Sequence, residues 1–217
     1  MTRLLAILLL LAGQATAQTL PAIPAQDHPQ FHAIGRVNTA GFNRRGMCSG
    51  ALIAPALVLT AAHCVLRDDQ PTAPEDLHFV AGWLRGQHQG HARVKQVEIH
   101  PKALNTQGLD LQNDIALLHL TEPLAITPLR TTDANGPFAL IGYHDHRPHM
   151  LSGRKDCIGT GDPLILACPA RPGNSGGPAL TRKDDQWQVV GVVSATDGAR
   201  TWVALLNDWL ETRPDAR

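Results

Sequence analysis

The hydrophobic pattern of this chain consists of many short apolar runs separated by clusters of Pro, Gly, Asn and Asp. Short runs of β-favouring residues bounded by turn residues are typical of strands in a barrel or a sandwich. The pattern therefore predicts an all-β fold. The predicted strands of the first half span residues 33–38, 47–53, 57–60, 77–81, 93–99 and 115–120. Those of the second half span residues 139–142, 157–159, 164–167, 178–180, 188–193 and 201–205.

The end of the chain has the pattern of a short helix. Asn207 can cap a helix over residues 208–212, and Pro214 would end it. Residues 121–132 contain two prolines and are interpreted as a linker between two halves of the chain. The sequence contains no internal repeat and no low-complexity tract.

The first 17 residues have the three parts of a secretory signal peptide. Arg3 supplies the basic start, an apolar run extends over residues 4–12, and Ala15 and Ala17 form an A-x-A site. The apolar run is far shorter than the roughly 20 residues that cross a bilayer, which disfavours the alternative of a membrane anchor. We expect a secreted or periplasmic protein that begins near Gln18 and has no stable membrane association after cleavage.

Charge and cysteine content narrow the possible functions. The chain has 19 basic and 19 acidic side chains with no segment of one sign, which disfavours nucleic acid as a partner.

Four cysteines in an exported chain predict two disulfides, for which three connectivities are possible. Pairing of sequence neighbours, Cys48 with Cys64 and Cys157 with Cys168, is the simplest choice. A zinc site is disfavoured because no C-x-x-C spacing occurs.

Three short segments carry candidate catalytic side chains in the order His, Asp, Ser. They are T-A-A-H-C with His63, N-D-I-A-L-L with Asp114, and G-N-S-G-G-P with Ser175. A serine hydroxyl needs a base to remove its proton, and the ordinary histidine pKa of about 6.5 suits that exchange near pH 7. An aspartate can accept the other ring N–H and fix the tautomer. We therefore predict a nucleophilic Ser175, with His63 as general acid and base and Asp114 as its orienting group.

The glycines around the candidate nucleophile support the same chemistry. Gly173 leaves room for a substrate carbonyl near the backbone, and the amides of Gly173 and Ser175 are predicted to form an oxyanion hole. Gly176 and Gly177 permit a tight backbone path behind the serine. The histidine and the aspartate precede the linker and the serine follows it. We therefore expect the site in a cleft between the two halves.

These segments resemble the trypsin/chymotrypsin-like serine endopeptidases over nearly all of the chain that follows the signal peptide. The stretch from Cys48 to Cys64 is similar to the family's histidine region, residues 113–118 to its aspartate strand, and residues 192–194 to its substrate-backbone strand. The resemblance implies two perpendicular six-stranded antiparallel β-barrels with a short C-terminal helix, a Cys48–Cys64 bridge, and hydrolysis of peptide bonds through an acyl-enzyme. It implies protein or peptide substrates, no cofactor and no metal.

The same resemblance divides the chain into segments. A protease domain would span residues 32–217, with one barrel in residues 32–122 and the other in residues 130–217. Residues 18–31 would be a short propeptide or an N-terminal extension. We expect a monomer.

Two features distinguish the chain from the animal members of the family. Asn174 precedes the candidate nucleophile, where the animal enzymes have an aspartate that pairs with a newly cut N-terminus. Their I-V-G-G start is also missing, and the nearest segment is H-A-I-G-R-V at residues 32–37. Asparagine at this position makes the chain more similar to the bacterial glutamyl-endopeptidase (V8-like) branch. Since a neutral amide cannot form that ion pair, we expect removal of the signal, with a short propeptide ending before His32, to suffice for activation.

The resemblance also indicates a primary specificity pocket. Its predicted residues are Pro169 and Ala170 at the base and Ser194, Ala195 and Thr196 along the wall. No carboxylate lies among them, so a substrate Lys or Arg would lack a counter-charge. The histidine that helps V8-like enzymes hold a glutamate would fall at Val193. We therefore expect cleavage after small or apolar residues of the substrate. If the Arg171 side chain pointed into the pocket, it would instead favour cleavage after acidic residues.

Two interpretations stay open: the role of the histidine-rich residues 144–149, and whether the whole protein is an enzyme or a binding module. Residues 144–149 contain three imidazoles and a carboxylate, which is the composition of a metal site or of a polar loop beside the cleft. A catalytically silent binding or adhesion module on the same fold is the alternative to an enzyme. Retention of His63, Asp114, Gly173 and Ser175 favours the enzyme.

Overall fold

A computed structural model describes residues 19–39, 46–206 and 208–213 of the chain. The predicted signal peptide, the helix cap Asn207 and the helix-ending Pro214 lie outside these residues. Within them, no helix combines the length and the apolar character that a membrane span requires.

Antiparallel strands make up about half of the described chain. The strands of the first half are β1 (Ile34–Thr39), β2 (Gly46–Ala54), β3 (Leu57–Thr60), β4 (Leu66–Arg67), β5 (Gln70–Pro71), β6 (Leu77–Ala81), β7 (Gly90–Ile99), β8 (Leu104–Asn105), β9 (Gly108–Leu109) and β10 (Ala116–Leu120). Those of the second half are β11 (Phe138–His144), β12 (Arg147–Cys157), β13 (Gly159–Thr160), β14 (Leu164–Leu166), β15 (Pro178–Lys183), β16 (Gln186–Thr196) and β17 (Thr201–Leu205). The helices are 3₁₀ turns at Ala25–Phe31, Ala62–Cys64 and Pro74–Asp76, and the α-helix α1 at Asp208–Glu211.

Six strands of the first half form a closed barrel in the order β1-β2-β3-β10-β7-β6. The ring closes because β1 pairs with β2 along one edge and with β6 along the other. Side chains alternate between the two faces of a strand. Leu77, Phe79 and Ala81 of β6 are accordingly buried inside the barrel, while His78 and Val80 lie on its outer face.

The second half forms a curled sheet in the order β12-β11-β15-β16-β17-β14-β13. The predicted all-β, chymotrypsin-like architecture is confirmed, but this unit is a seven-stranded half-barrel rather than a closed six-stranded ring. The N-terminal segment covers the β12 edge: Ala22 bridges Ser152, and the Gly153 N–H donates to the Pro21 carbonyl at 2.8 Å. An edge strand protected in this way does not need a partner from the far end of the sheet.

Strand β11 is buried along its whole length because it separates two apolar cores. Phe138 and Leu140 point into a smaller core of the second half. Ala139 and Ile141, on the opposite face, belong to the main core, which continues into the barrel. This shared core fixes the two halves against each other and so defines the cleft between them.

The segment that precedes the barrel contributes to both cores. Leu20 is buried in the smaller core and Phe31 in the main core. Between them, the Ile23 N–H donates to the Leu151 carbonyl at 2.9 Å. Residues 19–31 are therefore an integral part of the packed structure.

Both of the simplest cysteine pairings are present. One disulfide joins Cys48 to Cys64 and the other joins Cys157 to Cys168. The first connects β2 to the 3₁₀ turn that carries His63.

Candidate active site

His63 and Asp114 lie at the same end of two neighbouring barrel strands. The 3₁₀ turn with His63 directly follows β3, and Asp114 lies just before β10. These strands pair with each other, with Thr60 opposite Ala116. The register of the ladder therefore brings the two side chains together.

The carboxylate of Asp114 is fully buried and accepts three hydrogen bonds. His63 donates from ring atom Nδ1 to Oδ2 at 2.7 Å and from its backbone N–H to Oδ1 at 2.9 Å. The Ser194 hydroxyl also donates to Oδ2, at 2.7 Å. Because Nδ1 carries the donated proton, Nε2 is left as the basic atom of the half-buried imidazole.

Ser175 lies on the loop between β14 and β15 and is held against the barrel. Its carbonyl accepts a hydrogen bond from the Ser49 N–H at 2.8 Å. Gly176 has a φ of +71°, and a Cβ there would come within 2.8 Å of the Ala61 nitrogen. The serine loop thus packs against the chain just before His63. Among the described residues, the Ser175 hydroxyl makes no direct hydrogen bond to His63, and such bonds often tighten only when substrate is bound.

The peptide that would supply the first oxyanion-hole donor is held in one orientation. The Pro172 carbonyl accepts a hydrogen bond from the Asp145 N–H at 2.8 Å. In a trans peptide the N–H points away from the carbonyl, so this bond directs the Gly173 N–H away from Asp145. Gly173 has a φ of +99°, and a Cβ there would lie 2.8 Å from the His144 Cα. Only glycine fits this position.

The buried Ser49 hydroxyl links the same loop to β11. It accepts a hydrogen bond from the Tyr143 N–H at 2.8 Å and donates to the Gly173 carbonyl at 2.8 Å. Together with the backbone bond to Ser175, these contacts fix the loop on both sides of Asn174. Sequence reasoning did not identify Ser49, whose only signal is its place next to Cys48.

Asn174 is buried, and both polar atoms of its side-chain amide are satisfied locally. Its Nδ2 donates to the Tyr143 carbonyl at 2.9 Å, and its Oδ1 accepts from the Arg171 N–H at 2.9 Å. A neutral side chain thus holds the backbone ahead of Ser175 without a counter-ion.

The Arg171 guanidinium binds to the turn between β11 and β12. It donates to both carboxylate oxygens of Asp145, at 3.1 and 3.3 Å, and to Nε2 of His146 at 2.8 Å. Burial acts to raise the pKa of Asp145, but the hydrogen bonds from Arg171 and from the His146 N–H hold it below its ordinary value. In this arrangement Arg171 is already paired with an acid.

The structure brings together the predicted base and wall of the specificity pocket. Pro169 and Ala170 are buried, and the Thr196 hydroxyl donates to the Ala170 carbonyl at 3.4 Å. Ala195, which precedes Thr196 on β16, is partly exposed. Ser194, the first predicted wall residue, lies on the same strand, and its hydroxyl donates to the Asp114 carboxylate.

A cavity of about 340 Å³ adjoins His63 on the barrel side. Its wall includes Met47, the Cys48–Cys64 disulfide and Leu66, with Arg67 at its margin. The donor atoms of Cys48, His63 and Cys64 lie within 4.8 Å of one another. Because both sulfurs belong to the disulfide, neither is a thiolate that could bind a metal.

The three imidazoles of residues 144–149 lie in different environments. His144, the last residue of β11, is buried, and neither ring nitrogen has a hydrogen-bond partner. His146 accepts from Arg171, and Nδ1 of His149 accepts from the Trp83 indole at 3.4 Å. Burial lowers the pKa of His144, which favours its neutral form.

The fold and the paired His63 and Asp114 beside a glycine-rich serine loop define the class of chymotrypsin-like serine peptidases. The family profile described as the trypsin-like peptidase domain matches residues 48–192. The match covers more than half of the chain, so the chain belongs to this family.

Curated relatives agree with this assignment. Chymotrypsin-C of Rattus norvegicus is 29% identical over 78% of this chain and 78% of its own length. Mannan-binding lectin serine protease 1 of the same species is 24% identical over 78% of this chain, but only 32% of that longer protein is covered. Serine protease 23 of Bos taurus is 27% identical over 68% of this chain and 48% of its own length. These similarities support serine-type peptidase activity.

Proposed function

We propose that this protein is a secreted or periplasmic serine endopeptidase that acts through an acyl-enzyme on Ser175. The observation that carries the proposal is the buried Asp114 carboxylate, which holds His63 by two hydrogen bonds. A buried charge needs such partners, and a charge-paired histidine at a cleft is the arrangement of a general base. Export is supported by the signal-like residues 1–17 and by two disulfides, which persist in oxidising compartments.

In the proposed first half-reaction, Ser175 Oγ forms a bond to the substrate carbonyl carbon while its proton passes to Nε2 of His63. The carbonyl oxygen becomes an oxyanion that accepts hydrogen bonds from the backbone N–H groups of Gly173 and Ser175. The imidazolium then gives its proton to the leaving amine as the C–N bond breaks. An acyl ester remains on Ser175.

In the second half-reaction, water gives a proton to His63 as its oxygen attacks the ester carbonyl. The tetrahedral intermediate uses the same oxyanion donors. When the ester C–O bond breaks, the imidazolium returns its proton to Ser175 Oγ and the acid product leaves. Throughout the cycle, Asp114 stabilises the positive charge on the imidazole.

Labelling with a fluorophosphonate probe tests the activated serine. We expect the full secreted chain to be labelled and the Ser175→Ala variant to be unlabelled, with a loss of turnover of about 10⁶-fold. Ser152→Ala removes another buried hydroxyl, away from His63, and serves as the matched control. A folded wild-type protein that the probe does not label would favour the silent binding module.

We further propose that the enzyme needs no ion pair from a new N-terminus, as in the V8-like branch. Asn174 is neutral, and its amide is already hydrogen-bonded within the second half. We interpret residues 18–31 as a permanent extension, because Leu20 and Phe31 are buried in the two cores. Secreted protein with Gln18 as its sequenced N-terminus should therefore be active. Activity confined to a form that begins at His32 would contradict this.

For specificity, we propose cleavage after small or apolar residues. The predicted pocket base, Pro169 and Ala170, is uncharged, and Arg171 is bound to Asp145. A substrate Lys or Arg would therefore enter without a counter-charge, and a substrate Glu would have to compete with Asp145 for the guanidinium. Profiling with a mixed peptide library tests this, and dominant cleavage after Lys or Arg would refute it.

A further inference from the structure

Three histidines lie close together on the outer face of the hairpin formed by β6 and β7. His78 is on β6, His91 is on β7, and His88 is in the connecting turn. The register pairs His78 with Arg93 and Val80 with His91. His78 and His91 are therefore diagonal neighbours on one face of the ladder, within reach of each other.

The His78 and His91 rings are arranged closely enough to share one ion. Nδ1 of His78 lies 3.1 Å from Nε2 of His91, and the ring centroids are 5.3 Å apart. Two imidazoles on a tetrahedral zinc ion, with Zn–N bonds of about 2.0–2.1 Å, place their nitrogens about 3.3 Å apart and their centroids about 5 Å apart. The observed pair already has these spacings.

His88 supplies a third imidazole at slightly longer range. Its ring centroid is 6.2 Å from that of His91, with the rings in an edge-on arrangement. The side chain is exposed on a turn, so a change of rotamer can bring its ring to an ion held by the other two.

We propose that His78 and His91, with His88 as a third ligand, form a surface site for a divalent transition metal of the zinc, copper or nickel type. Imidazole nitrogen is a preferred donor for these ions, whereas calcium and magnesium prefer oxygen. On binding, the ring that donates in the hydrogen-bonded pair moves its proton to its other nitrogen, and the ion ties β6 to β7 beside the connecting turn. The site is independent of the catalytic residues.

Calorimetric titration of the Ser175→Ala protein with Zn²⁺ and Ni²⁺ tests the site without autolysis. We expect saturable binding that His78→Gln and His91→Gln each weaken by about tenfold or more, since loss of an outer-shell partner alone costs about 10–100-fold. His149→Gln removes an exposed imidazole that contacts Trp83 rather than another histidine, and should bind as the parent does. All these proteins keep His63, so any metal binding at His63 contributes equally to each titration and does not affect the difference between variants.

Electron paramagnetic resonance of bound Cu²⁺ provides a test that needs no substitution at the site. Hyperfine coupling to two or more imidazole nitrogens is expected for the first equivalent of copper. Coupling to a single nitrogen would overturn the proposal, as would equal zinc affinity in the parent, His78→Gln and His91→Gln proteins.

Discussion

The two halves of the molecule fix their parts of the candidate active site by different means. In the barrel, His63 and Asp114 flank paired strands, so the backbone ladder sets their separation. In the second half, Ser175 lies on a loop between β14 and β15 that a few individual hydrogen bonds hold in place. Several paired backbone positions set the geometry of the ladder together, whereas the position of the loop depends on a few particular side chains.

This difference separates two kinds of substitution. In the barrel half, a change at Asp114 alters the chemistry of the pair while the strands preserve its geometry. For the serine loop, a change at Ser49, which contacts the loop from β2, or at Asp145 alters the position of backbone donors and leaves the chemistry of the triad unchanged. Substitutions in the barrel and around the serine loop should therefore differ in their effects on kcat, with the largest loss at Asp114.

Asp114→Asn should lower kcat by about 10⁴-fold, because an amide favours the wrong histidine tautomer and cannot stabilise the imidazolium. The substitution is nearly isosteric, and the ladder between β3 and β10 should hold the residue in place. Steady-state hydrolysis and a crystal structure of the variant would check both statements. Asp110→Asn, in the preceding turn, is the matched control. A drop of less than about tenfold would contradict the proposed role of Asp114.

Ser49→Ala should reduce kcat by about tenfold or more, with a smaller effect on KM. It leaves the Tyr143 N–H and the Gly173 carbonyl without their buried partner, each at a cost of about 1–3 kcal/mol. The loop then shifts its oxyanion donors, and removal of one such donor costs about 10²–10³-fold in kcat. Steady-state kinetics with denaturant unfolding would separate position from stability. Lower stability with unchanged kcat would show that Ser49 does not position the loop.

Asp145→Asn should lower kcat by about two- to tenfold, since it removes the charge that holds Arg171 while leaving the Asp145 N–H on Pro172. Arg171→Gln should have a similar effect, and the double variant should be no worse than either single one. Asp156→Asn breaks an exposed paired carboxylate elsewhere and is the control. Additive losses in the cycle would show that the two residues act separately.

His144 should give the molecule a weak pH dependence of stability. Burial, with smaller contributions from Arg147, Arg171 and His146 that outweigh Asp145, lowers its folded-state pKa, so the unfolded chain binds the proton more readily. The contribution of His144 to the free energy of unfolding is then fully present above the ordinary histidine pKa of about 6.5. It is lost as the pH falls toward the lower pKa of His144 in the folded state.

His144→Phe should reduce that slope by at most about 1.4 kcal/mol per pH unit, the limit for one proton. Urea unfolding between pH 7 and pH 5, in the Ser175→Ala background, would measure it. His28, His32, His78 and His100, whose pKa values are also lowered chiefly by burial, should keep part of the slope. An identical slope in the variant would exclude His144 as a contributor.

Sequence patterns predicted the barrel better than the second sheet, for a physical reason. Barrel strands 57–60 and 77–81 have the predicted bounds because their apolar residues are continuous or alternate cleanly, and in the second sheet strand 201–205 does so too. Most of β12 was not predicted, since Pro148, Arg154 and Lys155 suggest a loop and only three central residues and Cys157 are buried. Register shifts between β11 and β12 further disturb the two-residue period. The Ala25–Phe31 turn was not predicted, because residues 18–31 were interpreted only as a propeptide or an N-terminal extension.

The residues of the candidate site also differ in whether the sequence alone could indicate them. His63, Asp114 and Ser175 lie in motifs whose residue types are dictated by their chemistry, so the sequence indicates them directly. The contacts of Ser49 and Asp145 involve backbone groups that are far away in sequence. Such contacts leave no local pattern and become visible only when the chain is folded.

The Cys48–Cys64 bond gives the enzyme a dependence on its surroundings. One sulfur lies next to Ser49, which anchors the serine loop, and the other lies next to the His63 imidazole, so a single covalent link joins the two barrel segments that border the site. While these thiols remain reduced, that link is missing. We therefore expect the peptidase to have little activity in a reducing compartment and to reach full activity where this bond can form.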